Sequence, residues 1–178
     1  MGIPNEELQR VRGYLVSQAQ KLSVPQLVQK LQVDSLPLRD AVAAVPPDQF
    51  DARPSPDDWS AALICTHILD MTEHGAQAVI GILDRGDSAD AISDMRPGFV
   101  RTGLRRAEDF WPAFMARREP FYARVLQATG DEHLDLKITH PWFGSLNWRE
   151  WLLFMRVHDL DHMRQLQALT QHFIGSKA

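Results

Sequence analysis

Two histidines four residues apart, His158 and His162, are the residues in this sequence whose spacing most directly points to chemistry. On a helix this spacing places both side chains on one face, one turn apart. The same face carries apolar residues: Trp151, Phe154 or Met155, Leu166 and Leu169. Burying two imidazoles among them costs free energy unless their nitrogens find partners. The pair therefore indicates either a metal site or two core histidines satisfied by hydrogen bonds.

A third histidine, His67, lies on the apolar side of another predicted helix, where its stripe contains Leu63, Ile64, Met71 and Ala78. Two long helices of one bundle can bring three imidazoles together. Three neutral imidazoles leave a divalent ion with an open position for water, substrate or a thiolate. Because zinc, nickel, copper and iron all accept imidazole, ligand type does not select the metal.

A zinc-protease interpretation fails on the residues around the pair. That motif needs a glutamate directly after the first histidine to act as a base, and here the residue is Asp159. No glutamate follows His162, and His172 comes ten residues later instead of six.

Other polar residues near the three histidines have two readings each. Asp70, Asp159 and Asp161 could orient an imidazole through its second nitrogen, although Asp159 is better interpreted as a solvated carboxylate on the outer face. His74 follows His67 by two turns and fits a cavity rim or the surface. His140 begins a His-Pro-Trp-Phe-Gly loop and fits a structural turn at least as well as a site.

Aromatic residues, the lone cysteine and a run of arginines complete the candidates. Trp59, Trp142 and Trp151 could wall a pocket with Met155, or simply pack in the core. Cys65 is interpreted as a small core residue. Acidic residues interleave with the arginines of the third long segment, which favours a solvated face over a nucleic-acid stripe: Arg101, Arg105, Arg106, Arg117, Arg118 and Arg124.

The composition predicts one soluble domain of 178 residues. A net charge of −4 gives no general attraction to nucleic acid or to an anionic membrane. No apolar run approaches the roughly 20 residues of a membrane span. One cysteine and no signal peptide predict a cytoplasmic protein in a reducing compartment.

Apolar periodicity predicts an all-α protein. The helices expected are 4–22, 24–45 with a possible kink at Pro37, one from either Ser55 or Ser60 to 83, 101–129 kinked or divided at Pro112 and Pro120, and 147–173. Asn147 and Glu150 form a capping-box-like start. Residues 84–98 are a polar connection, and residues 131–143 are another that holds a short extended piece at 134–138.

Several short motifs in order resemble the DinB/YfiT-like family. They are Asp58-Trp59-Ser60 with His67, His140-Pro141-Trp142-Phe143-Gly144, Asn147-Trp148-Arg149-Glu150, and His158-x-x-x-His162 with Gln165. The resemblance implies a four-helix bundle, up-down-down-up, over residues 24–174, with an additional N-terminal helix within 1–23 and a tail at 175–178. It also implies a homodimer and a divalent metal, nickel or zinc, held by His67, His158 and His162.

The same resemblance suggests a reaction class. Some relatives are thiol-dependent transferases or isomerases that use a low-molecular-weight thiol, so a thiol-dependent S-transferase acting on a small molecule is the first hypothesis. Isomerase-type relatives place a glutamate in the ligand set, and histidine at both positions here disfavours that activity. A hydrolase that activates water on the metal is the first alternative, and a non-catalytic bundle that binds a small molecule or dimerises is the second.

Overall fold

The computed structural model describes residues 5–87 and 104–175. In these residues the elements are α1 (Asn5–Lys21), α2 (Val24–Ala43), a 3₁₀ turn (Pro47–Gln49), α3 (Ala61–Arg85), α4 (Ala107–Val125), β1 (Ile138–His140), β2 (Gly144–Leu146) and α5 (Trp148–Gly175). The all-α expectation is confirmed. Residues 88–98 of the expected polar connection, 101–103 of the expected third long segment, and 176–178 of the tail lie outside the described residues.

Local capping chemistry sets where the two site-bearing helices begin. Ser60, not Ser55, caps α3, because its side chain accepts a hydrogen bond from the Leu63 amide at 3.3 Å. At α5, the Asn147 side chain accepts from the Glu150 amide at 3.0 Å, and Glu150 accepts from the Asn147 amide at 2.9 Å. This reciprocal pair is the predicted capping box. Both caps lie close in sequence to candidate site residues.

Four helices form a closed ring in which α5 packs on α2 and α3, and α4 packs on α3 and α2. The helix α3 runs antiparallel to α5, since His67 contacts His158 while Gly75, further along α3, meets Trp151. It runs parallel to α4, since Arg118 contacts Thr72 and Arg124 contacts Asp84.

The remaining helix of the ring, α2, runs parallel to α5. The start of α5 reaches Leu22, just before α2, through Arg149, and Arg156 pairs with Asp34 further along. The bundle is therefore up-down-down-up, as expected.

The additional helix, α1, lies antiparallel on α5. Tyr14 near its middle contacts Arg156, whereas Ala19 near its end contacts Arg149, two turns earlier in α5. It is the N-terminal helix that the sequence predicts. The domain boundaries at residues 23 and 174 stay a prediction.

A short antiparallel hairpin precedes α5, with Ile138 opposite Leu146 and His140 opposite Gly144. The predicted extended piece at 134–138 reaches only the first residue of this hairpin. Strands of three residues each are too short for an alternating pattern to be recognised in the sequence. The described part of the third long segment is not divided, because α4 is one helix with Pro112 and Pro120 inside it.

The core consists of two apolar clusters. One contains Leu27, Leu31, Trp148 and Trp151, and the other contains Phe50, Ile64, Phe110 and Leu166. A polar layer lies between the two clusters along α3, α4 and α5. It is formed by Thr72, Arg118, Asp159, His67, His158 and His162. This layer holds the candidate site.

Candidate functional site

The three predicted histidines converge in the structure. The Nε2 atom of His158 lies 2.9 Å from Nε2 of His67 and 3.1 Å from Nε2 of His162. One candidate ligand atom from each residue can be chosen so that all three lie within 4.8 Å of one another. His67 comes from the second turn of α3, and the other two come from successive turns of α5. The convergence follows from the antiparallel contact of these two helices.

Hydrogen bonding assigns the tautomer of His162. Its Nδ1 lies 3.0 Å from Oε1 of Gln165, and Nε2 of Gln165 donates to Asp161 at 3.0 Å. Because the Gln165 oxygen can only accept, Nδ1 of His162 carries the hydrogen, and its Nε2 presents a lone pair to the other two rings. Asp161, an expected partner of the site, thus acts on His162 through Gln165.

Electrostatics keep the centre of the cluster neutral. Burial first, then the neighbouring His162 and His67, hold the pKa of His158 well below its ordinary value. His67 and His162 are themselves buried. At neutral pH the cluster therefore presents His158 as a neutral imidazole, which is the form that binds metal ions.

Trp59 forms an aromatic side of the cluster. Its ring meets His67 edge-on with centroids 5.2 Å apart, and it stacks on His162 at 6.5 Å with an interplanar angle of 9°. Trp59 precedes the Ser60 cap, so the cap that starts α3 also fixes this ring next to the histidines.

A cavity of about 590 Å³ opens onto the three histidines. Its volume lies within the range of pockets that bind small molecules. Trp59 and Trp142 line it, as expected, and both are exposed. The rest of its apolar lining comes from α1, the hairpin turn and α5: Leu8, Val11, Phe143, Phe154 and Val157. The site thus combines nitrogen donors with an apolar chamber.

The interpretation of Asp159 as a solvated carboxylate is wrong. Its side chain is 2% exposed, and both of its oxygens lie 3.0 Å from Nη2 of Arg118, which is 1% exposed. Burial raises the pKa of Asp159 to about 6, against the opposing effect of the Arg118 guanidinium. For Arg118, the expectation of a solvated arginine face is therefore wrong too.

Three of the other expected residues lie outside the lining of the large cavity. His74 contacts Asp70, with its Nδ1 2.9 Å from the Asp70 carbonyl oxygen and 3.3 Å from the carboxylate, and both side chains are partly exposed. His140 is buried, and its Nδ1 accepts from the amides of Trp142 and Phe143 at 3.2 and 3.3 Å. These contacts agree with the interpretation of His140 as part of a structural turn.

Two further expected residues, Trp151 and Met155, lie behind the cluster. They line a separate cavity of about 10 Å³ together with Thr72, Arg118 and His158. Trp151 can sit there because residue 75 is glycine, at which a Cβ atom would meet its Nε1 at 2.9 Å. Cys65 is fully buried, and burial raises the pKa of its thiol far above the ordinary value, which agrees with a core role.

Sequence reasoning missed two contributions to this region. The pairing of Arg118 with Asp159 was missed although each lies on the buried stripe of its helix, as in Phe114-Arg118-Phe121-Val125 and Met155-Asp159-His162-Leu166. The lining residues from α1, Glu7, Leu8, Arg10 and Val11, were also missed. An apolar stripe on α1 was visible in the sequence, but it does not reveal what the stripe covers.

Comparison with known proteins identifies the family of the chain. Among the described residues, no helix has the length and apolar character that crossing a membrane requires. No curated protein matches the chain. The model of the DinB superfamily matches residues 37–166, which include all three histidines, the hairpin and most of α5. The chain belongs to the DinB superfamily.

Proposed function

We propose that this protein is a divalent-metal-dependent enzyme in which His67, His158 and His162 hold the ion. The observation that carries the proposal is the convergence of their Nε2 atoms, at 2.9 and 3.1 Å around His158. Metal–nitrogen bonds of about 2.0–2.1 Å place two ligands of one ion about 2.8–3.4 Å apart. The separations of His67 and of His162 from His158 both fall in that range.

Internal hydrogen bonding explains the same contacts less well. A ring nitrogen of neutral imidazole carries either one hydrogen or one lone pair. Nε2 of His158 can therefore form a good hydrogen bond to His67 or to His162, but not to both. Gln165 fixes the tautomer of His162 in which the Nε2 lone pair faces the cluster. This arrangement supports an electrophile shared by the rings.

The protein's own residues hold the ligands in place and receive the substrate. Gln165 fixes the tautomer of His162, and Trp59 packs against two ligand rings. The cavity of about 590 Å³ gives a small molecule access to the cluster. A bound divalent ion would supply Lewis acidity, which lowers the pKa of a thiol or of water.

We propose thiol-dependent S-transfer as the reaction class, with nickel or zinc as the ion and a low-molecular-weight thiol as the cosubstrate. Membership of the DinB superfamily supports it, together with a cavity large enough for a thiol and a second small molecule. The assay must distinguish thiol-dependent S-transfer from hydrolysis. Turnover of an electrophilic substrate only when thiol is added supports transfer, and turnover without thiol contradicts it.

Elemental analysis of untagged protein, purified without chelator, tests the metal site. We expect about one nickel or zinc ion per chain. His158→Ala should lose the ion, and His74→Ala should keep it, because His74 lies outside the cavity lining. Chelation should lower the melting temperature of the wild type and of His74→Ala but not that of His158→Ala, since an ion bound to the folded state alone stabilises it. A wild-type protein that is purified without metal and does not bind added nickel or zinc would contradict the proposal.

We also propose that the protein acts in the cytoplasm as a homodimer. The family resemblance supports the dimer. Light scattering coupled to size exclusion tests it. A monomer at micromolar concentration contradicts it.

A further inference from the structure

The outer wall of the cavity is built by a helix that the family model does not cover. The match begins at residue 37, whereas α1 ends at Lys21. Leu8 and Val11 line the cavity and are half-buried, on the same stripe of α1 as the fully buried Leu15. The histidines at the inner end of the cavity thus lie within the match, whereas the wall contributed by α1 lies outside it.

This wall is fixed to the bundle by hydrogen bonds at residues 12–19, directly after its cavity-lining part. Arg12 donates to the carbonyl of Phe143 in the hairpin turn. Arg156 of α5 donates to the Tyr14 hydroxyl at 3.1 Å, and Arg149 donates to the Ala19 carbonyl at 2.8 and 3.0 Å. Hydrogen bonds from a charged guanidinium are among the stronger ones in proteins. The helix is therefore a preformed part of the pocket, and binding does not have to order it.

The charges and apolar groups of the cavity are separated. The charged residues of the lining, Glu7, Arg10, Asp161 and Arg164, are all exposed, and Glu7 pairs with Arg10 at 3.5 Å. The apolar side chains of Leu8 and Val11 lie on the same wall, and Phe154 and Val157 of α5 also line the chamber. A ligand that fills this space meets nitrogen donors at the inner end and apolar groups along its sides.

We infer that α1 selects the substrate, and that the substrate is an amphiphilic small molecule with an uncharged apolar body. Its apolar body binds against Leu8 and Val11 of α1, and its polar, metal-binding head reaches His158. The part of the inference that concerns the head rests on the proposed metal site. The part that concerns the body does not, because removal of apolar surface from water drives binding with or without an ion.

Binding of 1-anilinonaphthalene-8-sulfonate, measured by its fluorescence in the presence of chelator, tests the wall without any metal. The probe has an apolar ring system that the cavity can accommodate. We expect Leu8→Ser/Val11→Ser to weaken binding about tenfold, because two apolar contacts are lost. The matched control is Val33→Ser/Leu36→Ser, which removes two exposed apolar residues of α2 outside the cavity lining and should leave the dissociation constant unchanged.

A second variant controls for a general destabilisation of α1 by the serine substitutions. Leu8→Trp keeps an apolar residue at the position but fills the outer end of the cavity, so it should also weaken probe binding. If neither the serine pair nor Leu8→Trp changes the dissociation constant more than the α2 control does, the inference is overturned. If the probe test fails while the metal site is intact, only the proposed role of α1 is overturned. If the protein is metal-free but binds the probe as expected, only the proposed metal site is overturned.

Discussion

The buried ion pair between Arg118 and Asp159 gives the sharpest stability prediction. Both oxygens of Asp159 lie 3.0 Å from the Arg118 guanidinium, which also contacts the Thr72 hydroxyl at 3.2 and 3.3 Å. Arg118→Met would leave a carboxylate in the core without its counter-charge. Removing one partner of such a pair costs about 3–5 kcal/mol. In a chain of this length that corresponds to a fall of about 6–20 °C in the melting temperature.

Denaturant unfolding near neutral pH, followed by circular dichroism, measures the effect. Arg117→Met is the matched control, because Arg117 pairs with Glu73 while their side chains are 31% and 46% exposed. Such a partly solvated pair contributes about 1 kcal/mol at most. The double variant Arg118→Met/Asp159→Leu should recover most of the loss, since it leaves no unpaired charge. If Arg118→Met lowers the free energy of unfolding no more than Arg117→Met does, the reasoning is refuted.

Two further predictions concern the helix start and the loop before the hairpin. Ser60→Ala should lower the free energy of unfolding by about 1 kcal/mol by removing the cap of α3, while Ser55→Ala should have little effect in the same denaturation assay. Although burial opposes it, hydrogen bonds from the amides of Thr129 and Gly130 lower the pKa of Glu132 to about 2. This carboxylate therefore contributes stability above its unfolded pKa, and the contribution is lost as the pH falls toward 2. We expect Glu132→Gln to lower the free energy of unfolding at neutral pH and to change it little at pH 2. An equal effect at both pH values would contradict this.

The helices and the histidine cluster could be predicted because each depends on short-range patterns. Spacing alone puts His158 and His162 on one face, and the apolar stripe of α3 places His67 toward the core. The choice between Ser55 and Ser60 could not be made from the sequence. Both are acceptable caps, and only the packing of α3 in the bundle decides which turn begins the helix.

The burial of Asp159 could not be recognised for a different reason. Aspartate side chains are mostly exposed in proteins, and the partner of Asp159, Arg118, is 41 residues away in the sequence. The signal that was present is that both residues continue a stripe of three- and four-residue steps through otherwise apolar neighbours. Two opposite charges at core positions of two helices predict a buried pair only once the helices are known to face each other.

The polar layer restricts how the helices can be aligned. A slip of α4 by one helical turn, about 5.4 Å, would separate Arg118 from Asp159 and Thr72 and leave both charges buried without their partner. Purely apolar helices tolerate such slips far better, because one aliphatic contact replaces another. Because Arg118 contacts Thr72 on α3 and Asp159 on α5, the polar layer ties both helices to one register of α4. His67 and His158 lie on those same two helices, so an all-apolar replacement of the pair should keep the bundle folded but remove a contact that holds them in register.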